Sequence, residues 1–173
     1  MSKTLNTPTI SKRATKPNGE NRMTKYQVQA WMAPNPITVD ADNSLSVAYH
    51  LMRLNNVRRL PVLGKNGKLV GIITWGDIRA ARPKGSLAEQ TGRDWEDHFL
   101  AATLAVREIM TPDPVTVTPD CSVRLAANLM LAHKIGGLPV VDGTVVGMLT
   151  ESDLFRFLVE NFPEGGESLT GGG

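Results

Sequence analysis

The chain has 173 residues, of which 41% are hydrophobic and 21% charged; this is close to the composition of globular domains and excludes a wholly disordered chain. Its length corresponds to one average domain or two small ones, enough to bury a core without a disulfide or a structural metal. The single cysteine, Cys121, excludes an internal disulfide framework and fits a reducing, cytoplasmic location. No apolar run approaches the roughly 18 residues of a membrane-spanning helix, so no membrane contact is predicted.

Charge is unevenly distributed along the chain. Residues 1–25 contain six basic groups and one acid, whereas the remaining residues contain 13 basic and 16 acidic groups. The acidic body argues against specific nucleic-acid binding. The segment 1–25 is poor in acids, as organelle transit peptides are, but its apolar residues form a poor amphipathic face, so a disordered basic tail is favoured. Glycines predict a second flexible segment over residues 161–173.

An internal repeat organises the rest of the sequence. Met32–Val62 aligns with Met110–Val140 at a constant offset of 78. After a two-residue contraction in the second copy, Gly71–Asp77 aligns with Gly147–Asp153 at an offset of 76. Chance does not hold one register through so many identities, so the chain contains a duplicated unit.

The sequence of the first copy predicts a strand, a helix, two further strands and a final helix, in that order. The β-branched residues of Ile37–Val39 favour a strand, and Asp42–Ser44 offer an N-cap for a helix with apolar residues at helical spacing. Leu60–Leu63 and Val70–Thr74 then predict two strands. The Asn66-Gly67 turn between them is a strong hairpin signal, and the final helix follows the second of these strands.

The second copy predicts the same elements. Val115–Val117 is its opening strand, Asp120–Ser122 its N-cap, and Leu138–Val141 and Val145–Thr150 its paired strands. The final helix has its apolar residues at four positions, namely Leu154, Phe155, Leu158 and Val159.

The two copies are expected to pack together, because one copy of about 50 residues cannot cover both faces of its own sheet. The predicted fold class is α/β, with two motifs in pseudo-twofold symmetry, each a small three-stranded sheet with two helices. Residues 83–105 form the predicted linker. An amphipathic helix begins there at Asp94–Leu100 and is expected to lie on the module or at a subunit contact.

Four motifs in each copy resemble the paired cystathionine β-synthase (CBS) domain family. They are the Met-x-x-x-Pro-x-Thr-Val opening, the Ala-x-x-Leu-Met helix, the Leu-Pro-Val strand and the Gly-x-x-Thr-x-x-Asp ending. The resemblance covers residues 28–82 and 106–160. It implies a homodimer and a stand-alone regulatory module that binds AMP, ADP, ATP or S-adenosylmethionine and acts on a partner protein in trans.

The pairs Thr74/Asp77 and Thr150/Asp153 lie at predicted strand-to-helix junctions and allow two interpretations. They can be capping motifs, since a threonine followed three residues later by an acid satisfies free N–H groups of a helix. Alternatively, an ionised aspartate can accept hydrogen bonds from both hydroxyls of a ribose. In the family that this chain resembles, the pair holds the ribose of adenosine ligands. Capping and binding can coexist.

The resemblance also implies contacts for the adenine and the phosphates. The adenine would lie against the two opening strands, beside the proline of each Leu-Pro-Val strand. A basic residue before Leu-Pro-Val often reaches a phosphate held by the other copy's aspartate, so Arg58 and Arg59 are paired with Asp153. The predicted nucleotide-binding residues are Ile37, Thr38, Arg58, Arg59, Pro61, Thr74, Asp77, Val115, Thr116, Lys134, Pro139, Thr150 and Asp153.

This assignment predicts two unequal sites. The cleft at Asp77 would have only His133 and Lys134 as nearby basic groups and no arginine. We therefore expect the cleft at Asp153 to prefer charged nucleotides.

An enzyme and an interaction scaffold are the two alternative classes of function. Catalysis would need a nucleophile beside a base. Cys121 is predicted at a helix N-terminus, which can lower a thiol pKa, but no histidine is near it in the repeat and the aligned residue is Asn43. No metal-ligand pair or phosphate-binding glycine loop is present in the sequence, so neither an enzyme nor a catalytic cofactor is predicted. The alternative is a dimerisation or interaction scaffold with vestigial clefts, because capping alone would also use the Thr/Asp pairs.

Overall fold

The structure is a computed structural model that describes residues 24–81 and 104–162. Nearly all of the predicted basic tail, the predicted linker helix and the C-terminal glycine segment lie outside these residues. The strands are β1 (Ala33–Pro34), β2 (Val39–Asp40), β3 (Arg59–Leu63), β4 (Leu69–Thr74), β5 (Thr111–Pro112), β6 (Gly137–Asp142) and β7 (Thr144–Thr150). The helices are α1 (Leu45–Leu54), α2 (Trp75–Ala80), α3 (Val106–Ile109), α4 (Val123–His133) and α5 (Glu151–Asn161), and a 3-10 helix spans Val28–Ala30.

The strands form two sheets, in the orders β2-β3-β4-β5 and β1-β7-β6. The α/β fold of two packed motifs is therefore confirmed, but the edges of the sheets differ from the prediction. Each sheet receives a two-residue strand from the other half of the chain, with Ala33 opposite Met148 and Thr111 opposite Ile72. The predicted second-copy strand at 115–117 is reduced to one parallel bridge, from Val117 to Val140.

The two hydrophobic cores show the same exchange. Val106, at the start of the second motif, is fully buried in the core formed by α1, β3 and β4. Val28, at the start of the first motif, is fully buried in the core formed by α4, β6 and β7. The backbone bonds are equivalent, since Val106 N donates to Asn43 O and Val28 N to Cys121 O, both at 2.8 Å. This exchange joins the two motifs and places shared clefts at their junction.

Two methionines of the exchanged segments pack against glycines of the sheets. Met32 lies against Gly147 on β7, and Met110 lies against Gly71 on β4, so that a Cβ atom on either glycine would collide with the sulfur. The absence of a side chain at these glycines allows the exchanged segments to approach the sheets. The hairpin glycines Gly67 and Gly143 have a different role, because their φ angles of 70° and 68° close the turns after β3 and β6.

Candidate functional site

Two clefts lie at the junction of the motifs, one beside each Thr-x-x-Asp sequence. The Asp77 cleft, of about 570 Å³, is lined by α2 and by residues from 111–115 and 133–137 of the second motif. The Asp153 cleft, of about 560 Å³, is lined by the start of α5 and by residues from 33–37 and 56–61 of the first motif. Both volumes fall in the range of small-molecule sites. A ligand in either cleft would contact both motifs.

The aspartate of the first cleft is held by its helix cap. The backbone N–H and the hydroxyl of Thr74 both donate to Oδ2 of Asp77 at 2.7 Å, and Asp77 N donates back to Thr74 Oγ1 at 3.3 Å. These bonds form a capping box at the start of α2, as one interpretation of the sequence predicted. Within the described residues, Oδ1 of Asp77 has no hydrogen-bond partner, so one carboxylate oxygen is oriented and available.

The aspartate of the second cleft is held similarly, but both of its carboxylate oxygens accept hydrogen bonds. Thr150 donates to Oδ2 of Asp153 through its backbone N–H at 2.9 Å and its hydroxyl at 2.7 Å. Oδ1 of Asp153 accepts a bond of 3.1 Å from Arg156, whose Nη2 also donates to the carbonyl oxygen of Trp31. A diol bound here would share this oxygen with Arg156, which is not among the residues that line the cleft.

The structure brings together ten of the predicted nucleotide-binding residues. The Asp153 cleft contains Ile37, Pro61, Thr150 and Asp153, the Asp77 cleft contains Thr74, Asp77, Val115 and Lys134, and Arg58 and Arg59 line both clefts. Three predicted residues line neither cleft, namely Thr38, Thr116 and Pro139. Thr116 is exposed, and Pro139 is buried in β6, opposite Met148.

The prediction that the Asp77 cleft lacks arginine is wrong. The second copy has Gly136 and Gly137 where the first has two arginines, and the Arg59 side chain occupies the space that these glycines leave. A Cβ on Gly136 would lie 2.9 Å from Arg59 Nη2, and one on Gly137 would lie 3.1 Å from Arg59 Cζ. Arg59 therefore reaches across the junction between the motifs, and the basis for a charge preference of the Asp153 cleft is removed.

The environment of Arg59 explains how its charge is held there. Burial lowers the pKa of Arg59 below its usual value, the carboxylate of Glu151 opposes this shift, and the neighbouring Arg58 adds to it. A guanidinium remains protonated near neutral pH in spite of such shifts. The cation is thus partly desolvated, which strengthens its interaction with an anion.

Comparison with known proteins identifies the family. The family model for the CBS domain matches residues 27–84 and 106–160 of this chain. The chain belongs to the CBS domain family. A CBS domain-containing protein of Dictyostelium discoideum is 37% identical over 139 residues, which are 79% of this chain and 93% of that protein.

Solved structures of CBS domain pairs are similar as well. The CBS domain pair of protein MJ0100, in complex with 5′-methylthioadenosine and S-adenosyl-L-methionine, is 30% identical with a TM-score of 0.62, covering 78% of this chain and 96% of that one. CBSX2 of Arabidopsis thaliana in complex with AMP is 28% identical with a TM-score of 0.62, covering 78% of this chain and 97% of that one.

Among the cleft-lining residues of this CBS pair that the sequence did not indicate, three distinguish the two clefts. Trp75 lines the Asp77 cleft and stacks on Tyr49 with ring centroids 5.2 Å apart. Glu151, at the aligned position, lines the Asp153 cleft, and Asn56 lines it beside Arg58. An alignment of the two Thr-x-x-Asp sequences could have found Trp75 and Glu151, because they occupy the same position and differ in charge and size.

A third cavity, the α4/α5 groove, lies on the outer surface of the second CBS motif. It has a volume of about 690 Å³ and its lining includes Leu131, Leu158 and Phe162. Leu131 is 77% exposed and Phe155 is 65% exposed. Of the predicted apolar positions of the last helix, only Leu154 packs on the core, together with the unpredicted Phe157. The other three are exposed, because α5 has one apolar side toward the core and a second toward solvent.

The remaining chemical features have narrower consequences. Burial and the neighbouring Asp120 raise the pKa of the Cys121 thiol, so the predicted option of a lowered thiol pKa is wrong. Across residues 24–81 and 104–162, no three histidine, cysteine, aspartate or glutamate side chains are grouped as metal ligands would be. None of the helices in these ranges is both long and apolar enough to cross a bilayer.

Proposed function

We propose that this CBS pair is a regulatory module that binds adenosine-containing ligands in its two junction clefts and acts on a partner protein in trans. The observation that carries the proposal is the geometry at Asp77. Asp77 lines the cleft; its Oδ2 is held by Thr74 through two bonds of 2.7 Å, whereas its Oδ1 has no hydrogen-bond partner among the described residues. A carboxylate oriented in this way can accept hydrogen bonds from a ribose diol.

The opposite wall of each cleft suits a purine ring. Ile37 and Pro36 line the Asp153 cleft, and the aligned Val115 and Pro114 line the Asp77 cleft. Apolar walls with a few convergent polar groups are typical of small-molecule sites. The ligands of the two similar solved pairs, 5′-methylthioadenosine, S-adenosyl-L-methionine and AMP, all contain adenosine, which supports the same ligand class here.

Regulation follows from the shared construction of the clefts. A ligand that contacts Asp153 on one side and Ile37 on the other links the second motif to the first. It therefore stabilises whichever relative arrangement of the motifs it binds best, and it shifts the population by its difference in affinity between arrangements. A partner protein that recognises one arrangement would respond to the ligand without any catalytic step in this chain.

Isothermal titration calorimetry with AMP, 5′-methylthioadenosine, S-adenosylmethionine and GMP tests the proposal. We expect binding of adenosine ligands and at least about tenfold weaker binding when both Asp77→Asn and Asp153→Asn are present, because the charged acceptor is lost. Asn keeps an oxygen that can cap the helix. Asp142→Asn, on an exposed residue at the end of β6, is the matched control. Silence across the panel, or full binding by the double variant, would contradict the proposal.

The scaffold alternative has one observation in its favour. The capping boxes give Thr74/Asp77 and Thr150/Asp153 a structural role without any ligand. A module that binds nothing but retains its dimeric state would support this alternative over the sensor.

A homodimer is also part of the proposal. The exposed apolar α4/α5 groove is supportive, because burying Leu131, Phe155 and Phe162 against a second copy would remove a large apolar surface from water. Light scattering after gel filtration should give twice the chain mass for the wild type and one chain mass for Phe155→Asp. A monomeric wild type would contradict this part only.

A further inference from the structure

The two clefts differ most clearly at the residue that follows each cleft threonine. In the Asp77 cleft this residue is Trp75, an uncharged wall stacked on Tyr49. In the Asp153 cleft it is Glu151. A Cβ placed on Gly136 would lie 2.9 Å from Glu151 Oε2 and 2.9 Å from Arg59 Nη2, so the carboxylate and the guanidinium face the same point. Glu151 therefore lies near Arg59, and of the two clefts its carboxylate lines only the one at Asp153.

A second difference is found at the end of the first helix of each motif. Lys134 ends α4 in the left-handed conformation, with φ 54° and ψ 43°. The aligned Asn56 adopts the same conformation, with φ 52°. Asparagine adopts this region of backbone space more readily than lysine, so the second motif keeps a lysine here at a conformational cost.

These two positions face different clefts. Lys134 lines the Asp77 cleft, together with His133, whereas Asn56 lines the Asp153 cleft. Arg58 and Arg59 are common to both. The Asp77 cleft thus has three permanent cations against two carboxylates, those of Asp77 and Asp113. The Asp153 cleft has two cations against the two carboxylates of Asp153 and Glu151.

We propose that the two clefts sort adenosine ligands by the charge of the 5′ substituent. The Asp77 cleft takes a ligand with a 5′ phosphate, which Lys134 and the shared arginines bind. The Asp153 cleft takes a ligand with an uncharged 5′ group, because Glu151 repels a phosphate there. This inference rests on the proposed binding of adenosine ligands, and it reverses the preference expected from the sequence.

AMP and 5′-methylthioadenosine are suitable probes, since they share adenosine and differ in 5′ charge. Calorimetry on Asp77→Asn should show AMP binding weakened by at least about tenfold and 5′-methylthioadenosine binding within twofold of wild type. Asp153→Asn should give the reverse pattern. Glu151→Gln should admit AMP to the Asp153 cleft, which raises the AMP stoichiometry toward two per chain.

Lys134→Asn is the most discriminating variant, because it installs the residue that the first motif has at the same backbone conformation. We expect AMP binding to weaken about tenfold, 5′-methylthioadenosine binding to stay within twofold, and the Tm to be equal to or above that of wild type. If the lysine had a merely structural role, its substitution would lower the Tm and leave the ratio of the two affinities unaltered. Lys68→Asn, on an exposed turn, is the matched control.

The outcomes separate this inference from the proposed function. If neither probe binds the wild type, both fail. If both probes bind but Lys134→Asn leaves the AMP affinity unchanged, or if Asp153→Asn rather than Asp77→Asn removes AMP, the proposed function stands and charge sorting is wrong.

Discussion

Gly147→Ala tests whether the exchange of segments between the motifs holds the protein together. Gly147 is buried on β7, where Pro34 and Val140 flank it on the neighbouring strands. An added Cβ would collide with the sulfur of Met32 and lie 3.0 Å from its Cγ and 3.1 Å from its Cε. Overpacking of this kind costs about 1–3 kcal/mol in the free energy of unfolding. A loss of that size lowers the Tm by several degrees, at about 2–4 °C per kcal/mol for a chain of this length.

Urea denaturation and a double-mutant cycle provide the assay. If the loss arises from the collision with Met32, then Met32→Ala should relieve it, and the double variant should be more stable than the sum of the single losses by about 1 kcal/mol or more. Gly71→Ala, which meets Met110 in the same way, should lose a similar amount. Gly76→Ala is the control, since its nearest contact is an ordinary 3.4 Å to Thr74 Oγ1 and alanine favours helix.

Two results would refute this reasoning. If Gly147→Ala unfolds at the wild-type urea concentration, the close approach of Met32 is not a constraint. If the losses at Gly147 and Met32 simply add, the destabilisation comes from the strand itself and not from the exchanged segment.

Three further predictions concern the clefts and the cysteine. Thr150→Ala should lose about 1 kcal/mol of stability relative to Thr150→Ser in urea denaturation, because it removes the 2.7 Å bond to Asp153; equal stability would show that the hydroxyl does not stabilise the cap. Arg59→Ala should weaken AMP binding in calorimetry, since its guanidinium lines both clefts, and an unchanged affinity would remove that role. Iodoacetamide should alkylate Cys121 more slowly at pH 8 than it alkylates an unstructured cysteine peptide, because burial and Asp120 raise the thiol pKa; a faster rate would contradict this.

Much of the fold could be predicted because the chain states its local signals twice. Each copy carries its own N-cap and paired apolar strands. Aligning the two copies therefore gives two independent indications of where each helix and strand lies. The Asn66-Gly67 turn is a further local signal, since a left-handed glycine connects adjacent strands without any help from distant residues. The Thr74/Asp77 and Thr150/Asp153 pairs were located correctly for the same reason, because capping depends on a spacing of three residues.

The tertiary structure decided which half of the chain completes which core and which residues reach each cleft. The local sequence does not show that Val28 packs in the second core and Val106 in the first, since hydrophobic contact is not specific for one apolar partner. Arg59 reaches both clefts only because Gly136 and Gly137, far away in sequence, leave room for its side chain. The exposed side of α5 was likewise decided by tertiary structure, because helical periodicity identifies apolar residues such as Phe155 but does not show whether they face the core or solvent.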